Sequence, residues 1–358
     1  MNKKNTAVIC LSPVNGGMEL ASVKLARILS KDTQIDFIAK KDSYIEKKSD
    51  NDFLTNGIKL HTITFDKYLS IHLIKSVRKI LIQRDIKNII FLGASEMRSL
   101  YFATLGLNIN FIIRQGSKKT TKKKDFLHRL FYSNVNHFVG NCEYIKQNII
   151  DILPVSKNAD VRRIYSSLKL DTEINFKKET SCIDIVLVGR VHPFKGQFEA
   201  IQSCAVLFEN SIDFSIKFLG DIQDEDYFNE IQIYLKKCEY KDSVEFVGYT
   251  NKVKEYLQKS DVFLFPSLGE GMSNAIIESL GYGLIPLIYD DTSSPEFKVL
   301  GFHIHLTKEN NVDNLRKKLL YIGRNLKDEK LSVLKNVHLA QKVFAPSREQ
   351  GDYLELLK

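Results

Sequence analysis

The sequence predicts an α/β protein built from two doubly wound parallel sheets. Three observations carry that expectation. Apolar runs of strand length alternate with helix-length amphipathic stretches along the whole chain. Runs such as Ile183 to Val188 are apolar almost throughout, as in strands covered on both faces. At 358 residues the chain also exceeds what a single core usually organises, which points to two domains.

Taken in order, the first strand falls near 6–12 and leads into the loop Ser12-Pro13-Val14-Asn15-Gly16-Gly17, after which Met18 to Leu29 has a helical apolar stripe. Strands follow near 34–39, 58–63, 88–93, 109–113, 136–140 and 161–165, with helices between them, the longest over about 68–84. In the second half, strands are expected near 183–188, 215–220, 244–247, 262–265, 286–289 and 302–306. The polar segment Lys169 to Thr180 has no long apolar run and marks a boundary. The expected domains are residues 1–170 and 171–343, with a last helix over 344–358.

Two loops combine chemistry-bearing residues with strand ends. After Ile183–Val188 comes Gly189-Arg190-Val191-His192-Pro193-Phe194-Lys195-Gly196 and then a helix. Ligands in open α/β sheets bind at that end of the strands. Arg190, as a planar fork, and Lys195, as a point charge, can both reach a pyrophosphate. The plain alternative is a solvated basic pair. After the strand Val262–Phe265 comes Pro266-Ser267-Leu268-Gly269-Glu270-Gly271-Met272-Ser273-Asn274, opening a helix that carries Glu278. A helix start offers unpartnered N–H groups to an anion, and the flanking carboxylates can accept from hydroxyls. Together they suit a phosphorylated polyol such as a nucleotide sugar. A Glu pair alone at this spacing would be an ordinary surface helix.

Glu270 and Glu278, in their Pro-Ser-x-x-Glu-Gly-x-x-Asn setting, resemble the Glu-x7-Glu signature of retaining family 4 (group 1) glycosyltransferases. That resemblance implies the GT-B fold, two Rossmann-like doubly wound domains facing a central cleft. It implies that Glu270 lies by the donor sugar, that Glu278 holds the nucleotide ribose, and that the amides of Gly271, Met272, Ser273 and Asn274 bind the diphosphate. Arg190 and Lys195 would neutralise the leaving diphosphate, and Gly16 and Gly17 would form the glycine loop facing donor and acceptor. Phe246-Val247-Gly248-Tyr249 resembles the family's turn near the nucleotide base, where Tyr249 could stack; simple packing is the alternative. The C-terminal helix would pack back on the N-terminal domain. The Met-Ser-Asn form after Glu-Gly resembles members that use uridine nucleotides.

One position departs from the family. Many members place a His after the strand that here is Asn110 to Ile113, whereas this chain has Arg114-Gln115. Arg can supply charge and Gln can hydrogen-bond a sugar hydroxyl, but neither is a general base near neutral pH. Glu19 is a further candidate carboxylate on the acceptor side.

Charge is unevenly divided. Residues 1–170 hold 29 Lys/Arg against 14 Asp/Glu, net +15, and residues 171–358 hold 23 against 29, net −6. The densest basic run contains Lys118, Lys119, Lys122, Lys123 and Lys124, followed by Phe126, Leu127, Leu130, Phe131 and Tyr132. Lysines beside an apolar helical face suit an anionic membrane, at roughly 1 kcal/mol per charge. In the family the N-terminal domain binds an acceptor that is often lipid-linked. The alternative is a solubilising loop beside core residues. A chain with no Trp and no base-stacking aromatic series is not read as a nucleic-acid binder.

The smaller features receive modest readings. Five cysteines without Cys-x-x-Cys spacing read as small apolar residues in a reducing compartment. No apolar stretch approaches a spanning helix, and no signal peptide is read at the N-terminus. Asp224-Glu225-Asp226 reads as a helix start rather than a metal motif. His303 and His305 fall on one face of the last strand without a third ligand at readable spacing, so no metal is expected. The expected protein is a cytoplasmic enzyme, peripheral on the inner face of the plasma membrane. It would move a sugar from a UDP-sugar or related donor to a saccharide hydroxyl, on a lipid-linked acceptor, in bacterial surface polysaccharide or lipopolysaccharide synthesis. A GT-B-like epimerase or phosphorylase and a catalytically silent binding subunit are the rival readings.

Overall fold

The computed structural model describes residues 5–14, 16–171 and 181–357. Its strands form two parallel sheets, one in each of two units: Met1–Ser166 with Pro346–Lys358 (unit 1), and Ser167–Ala345 (unit 2). Within the polar segment Lys169–Thr180, residues 172–180 lie outside the described residues.

Unit 1 holds β1 (Thr6–Cys10), β2 (Ile35–Lys40), β3 (Lys59–Ile63), β4 (Asn88–Leu92), β5 (Asn110–Gln115), β6 (His137–Gly140) and β7 (Asp160–Arg163). Their order is β3-β2-β1-β4-β5-β6-β7, all parallel. β1 and β4 are buried at every position, which is why they read as unbroken apolar runs. The helix expected over 68–84 is Ile71–Gln83, N-capped by Ser70. The helix Pro346–Leu356 belongs to this unit. Tyr353, Leu356 and Leu357 share a core cluster with Val8, Ile28 and Leu29, and the Asn110 amide donates to the Leu356 carbonyl at 2.6 Å. Burying a leucine contributes about 1.5–3 kcal/mol, so these terminal residues hold the helix firmly.

Unit 2 holds β8 (Ile183–Val188), β9 (Phe214–Leu219), β10 (Val244–Gly248), β11 (Val262–Phe265), β12 (Ile285–Tyr289) and β13 (His305–Thr307), in the order β10-β9-β8-β11-β12-β13. The last strand is shorter than expected. It begins at His305, so His303 precedes it rather than sharing its face. In both sheets the winding reverses, between β1 and β4 and between β8 and β11. Such switch points leave a crevice at the carboxyl ends of the two strands. Cys10, Cys142 and Cys204 are buried, and Cys182 and Cys238 are half-buried.

Candidate functional site

At the switch point of unit 2, the loop after β8 (189–196) lies against the loop after β11 (266–273), and specific contacts fasten them. Gly196 has φ +72, and a Cβ there would stand 2.2 Å from the Pro266 carbonyl oxygen, so only glycine lets the two backbones meet. The Leu268 N–H and the Ser267 hydroxyl both donate to the Phe194 carbonyl at 2.9 Å. Gln197, fully buried, donates from Nε2 to the Arg190 carbonyl at 2.9 Å and accepts from the His192 N–H at 3.4 Å.

These fastenings join two residues 75 apart in sequence: Lys195 Nζ donates to Glu270 Oε1. The Ser267 hydroxyl, sharing its one proton with the Phe194 carbonyl, lies 2.9 Å from the same Glu270 oxygen, and the Lys195 ammonium lies 5.5 Å from the Phe265 ring centroid. A third loop, after β12, holds the carboxylate segment from behind. Asp291 Oδ2 accepts from the Gly269 N–H at 2.5 Å, Thr292 donates to the Glu270 carbonyl at 2.5 Å, and Ser293 donates to the Gly271 carbonyl at 2.6 Å. Arg190 is exposed, and its guanidinium has no partner among the described residues. The helix Asn274–Gly281 starts at Ser273, whose side chain caps nothing, and its first turn carries no acid. Its leading N–H groups therefore remain available to an anion. Met272 and Ser273 are buried. One turn on, burial pushes the Glu278 carboxyl up to about 7. Tyr249, beyond β10, is 76% exposed with an open face.

In unit 1, Gly16 precedes the helix Gly17–Leu29 without a side-chain cap, and a Cβ at Gly16 would come within 2.9 Å of Glu19 Oε2. Glu19 is buried beside it. Around a Cβ placed at Gly17 there is open space. Arg114 and Gln115, expected on the acceptor side, both make contacts within unit 1. Arg114 is 5% exposed, and its guanidinium donates to the Ser166 hydroxyl. The Gln115 amide donates to Asn148 Oδ1 at 2.8 Å. A charged fork as deep as Arg114 needs an internal acceptor, whereas Gln115 stays half-exposed. Glu96, which the sequence did not single out, lies just past β4 at the carboxyl edge of the sheet. It is buried, and desolvation raises its carboxyl pKa despite Lys40 and Lys123 nearby. No motif surrounds it, so only the fold reveals it.

The basic run is largely exposed: Lys118, Lys119, Lys122 and Lys124 face solvent, Lys118 over the Tyr144 ring, while Lys123 is half-buried. In the helix Phe126–Phe131 that follows, Phe126, Leu127 and Leu130 are exposed, whereas Phe131 and Tyr132 are core. Phe102, also exposed, meets Phe131 edge-on and extends the apolar face. Asp224 caps the helix Glu225–Leu235 by accepting from the Tyr227 N–H at 3.0 Å, as a helix start should.

Comparison with known proteins adds a family. The model for glycosyl transferases group 1 matches residues 171–350, half of the chain. A capsular polysaccharide biosynthesis glycosyltransferase, CapH of Staphylococcus aureus, is 23% identical over 315 residues, covering 84% of this chain and 87% of that protein. An uncharacterized glycosyltransferase of Haemophilus influenzae is 28% identical over 138 residues, and the chain spans 38% of its length. Among solved structures, a glycosyltransferase from Rickettsia africae superposes with a TM-score of 0.83 at 14% identity, over 100% of both chains. HepE of Anabaena in complex with UDP superposes with a TM-score of 0.80 at 14% identity, over 99% of each. At such identity the structural likeness shows the fold alone, two parallel-sheet α/β domains of the GT-B type.

Proposed function

This chain belongs to the group 1 glycosyl transferases, and on that premise we propose that it transfers a sugar from a UDP-sugar to a saccharide hydroxyl with retention of anomeric configuration. The observation that carries the proposal is the bonded pair Lys195–Glu270, set beside an exposed Arg190 and an uncapped helix start. Lys195, Arg190 and the amides of Gly271 through Asn274 hold the diphosphate. Glu270 orients the donor sugar, Glu278 accepts from the ribose hydroxyls, and Tyr249 offers a face to the base.

In the reaction the bond from the anomeric carbon to the diphosphate oxygen breaks, and a bond to the acceptor oxygen forms on the same face. The acceptor proton passes to the departing phosphate oxygen, so no separate base is required. This suits a chain whose Arg114 and Gln115 are engaged internally. Charge developing on the diphosphate meets preorganised cations and amides, a task that needs no metal. Removing one such donor typically costs about 2.7–4 kcal/mol.

Uridine is favoured by the Gly271-Met272-Ser273-Asn274 sequence and by HepE, a structural relative solved with UDP. A role in surface polysaccharide synthesis is supported by relatives such as CapH, and a lipid-linked acceptor by relatives whose names specify diphosphoundecaprenol substrates. The exposed lysines beside Phe126, Leu127 and Leu130 suit a protein resting on the anionic inner face of a membrane. Among the described residues, no helix is long and apolar enough to cross one.

Calorimetric titration of the purified chain with UDP, GDP and ADP tests the proposal. UDP should bind most tightly, and Arg190→Ala should weaken it. Tighter GDP or ADP binding would replace the donor, and failure of all three would favour a silent binding subunit.

A further inference from the structure

His303, His305 and Glu329 lie in unit 2 outside the residues assigned above, and the fold brings their side chains to one point. His305 opens β13, His303 stands two residues before it, and Glu329 comes from the first turn of the helix Leu326–Val343. Both imidazole Nε2 atoms lie 2.7 Å from the same oxygen, Glu329 Oε2. The three ligand atoms all fall within 4.8 Å of one another. The rings meet at 83° with centroids 5.3 Å apart, so their nitrogens converge instead of the rings stacking.

The surrounding residues hold this arrangement in place. Asn336, fully buried two turns further along the same helix, brackets His303: its Oδ1 accepts from the His303 N–H and its Nδ2 donates to the His303 carbonyl, both at 2.8 Å. Glu329 and His305 are buried, while the His303 side chain is 29% exposed, leaving a way in from solvent.

We propose that His303, His305 and Glu329 bind one divalent cation of the zinc class, tying the edge strand of unit 2 to the helix Leu326–Val343. Two imidazole nitrogens and one carboxylate oxygen are a donor set for zinc, with the fourth position left to water. Magnesium and calcium prefer oxygen ligands throughout. Zinc bonds of about 2.0–2.2 Å at tetrahedral angles place ligand atoms about 3.3 Å apart, so each ring need only draw back by about 0.6 Å. Lys318 adds positive charge nearby, since its ammonium lies over the Tyr321 ring and that ring meets His305. The site should therefore bind less tightly than one with a second carboxylate. The alternative is a metal-free clamp in which both rings donate N–H to Glu329.

The test uses the full chain stripped by chelator, with zinc binding followed by equilibrium dialysis and coordination by the visible spectrum of a cobalt substitute. The wild type should take up one zinc per chain, show a tetrahedral nitrogen–oxygen cobalt spectrum, and melt at a higher temperature with zinc. His303→Ala, at a partly exposed position that should tolerate truncation, should weaken zinc by at least ~100-fold and abolish the thermal shift. Glu329→Gln should do the same. Absence of saturable zinc binding in the wild type overturns the proposal. So does zinc binding that survives both substitutions, since the metal would then sit elsewhere, as on cysteine thiols.

Discussion

Replacing Glu278 by glutamine should make the protein more stable at alkaline pH and a poorer nucleotide binder. Burial raises this carboxyl from 4.5 to about 7. Between those values the folded chain keeps a proton that the unfolded chain releases. Folding is therefore penalised as pH rises from about 4.5, and the penalty is complete above about 7. At about 1.4 kcal/mol per pH unit, its ceiling is about 3 kcal/mol. Glutamine has the same shape and no charge to desolvate, so it escapes the penalty. For a unit of this size each kcal/mol moves Tm by about 2–4 °C, giving a gain of up to about 6–12 °C at pH 8 and little at pH 5. The variant amide must itself be buried, which pulls the gain toward the lower end. UDP affinity should fall about 10–100-fold, the worth of one hydrogen bond to an ionised carboxylate. Thermal melts at pH 5 and pH 8, with UDP titrations at pH 8, read both effects. A variant no more stable than wild type at pH 8, or equally stabilised at both pH values, would refute the desolvation argument. An unchanged UDP affinity would refute the ribose role.

Lys195→Ala should lower kcat by about 10²–10³-fold with little change in Tm, because the ammonium acts on developing charge rather than on packing; parallel loss of both in melts and initial rates would count against it. Gly196→Ala should destabilise unit 2 strongly, since φ +72 and the 2.2 Å approach to the Pro266 carbonyl leave a methyl no place, and differential scanning calorimetry reads the loss. Reversing Lys118, Lys119, Lys122 and Lys124 to glutamate should abolish sedimentation with anionic vesicles while leaving UDP binding intact; undiminished sedimentation would remove the membrane from the proposed function.

Much of the fold was legible because parallel strands covered on both faces are apolar from end to end. β1, β4, β11 and β12 are buried at every position, and their runs stand out in the sequence. β13 was placed too early because Phe302 and Ile304 are buried like strand residues although they precede the strand. At the site, Lys195 and Glu270 could be named from their loops, but their bond depends on Gly196 passing over Pro266. The contributions of Gln197, Asp291, Thr292 and Ser293 are hydrogen bonds to backbone, and no local pattern announces them. Arg114 depends on a distant residue in the same way: its acceptor, Ser166, lies 52 positions away, and no local pattern announces it.

The helix Pro346–Leu356 has a consequence for how the protein is made. Tyr353 and Leu356 complete a core whose other members include Val8, Ile28 and Phe37, yet the ribosome adds them only after all of unit 2 has been synthesised. Unit 2 can close its own core while still attached to the growing chain. Unit 1 begins first and finishes last, waiting through about 180 residues with an apolar face between its first helix and its sheet still uncovered. During that interval the exposed face is a target for chaperones and for aggregation. A chain that stops short of Tyr353 should therefore fail in the domain that was translated first.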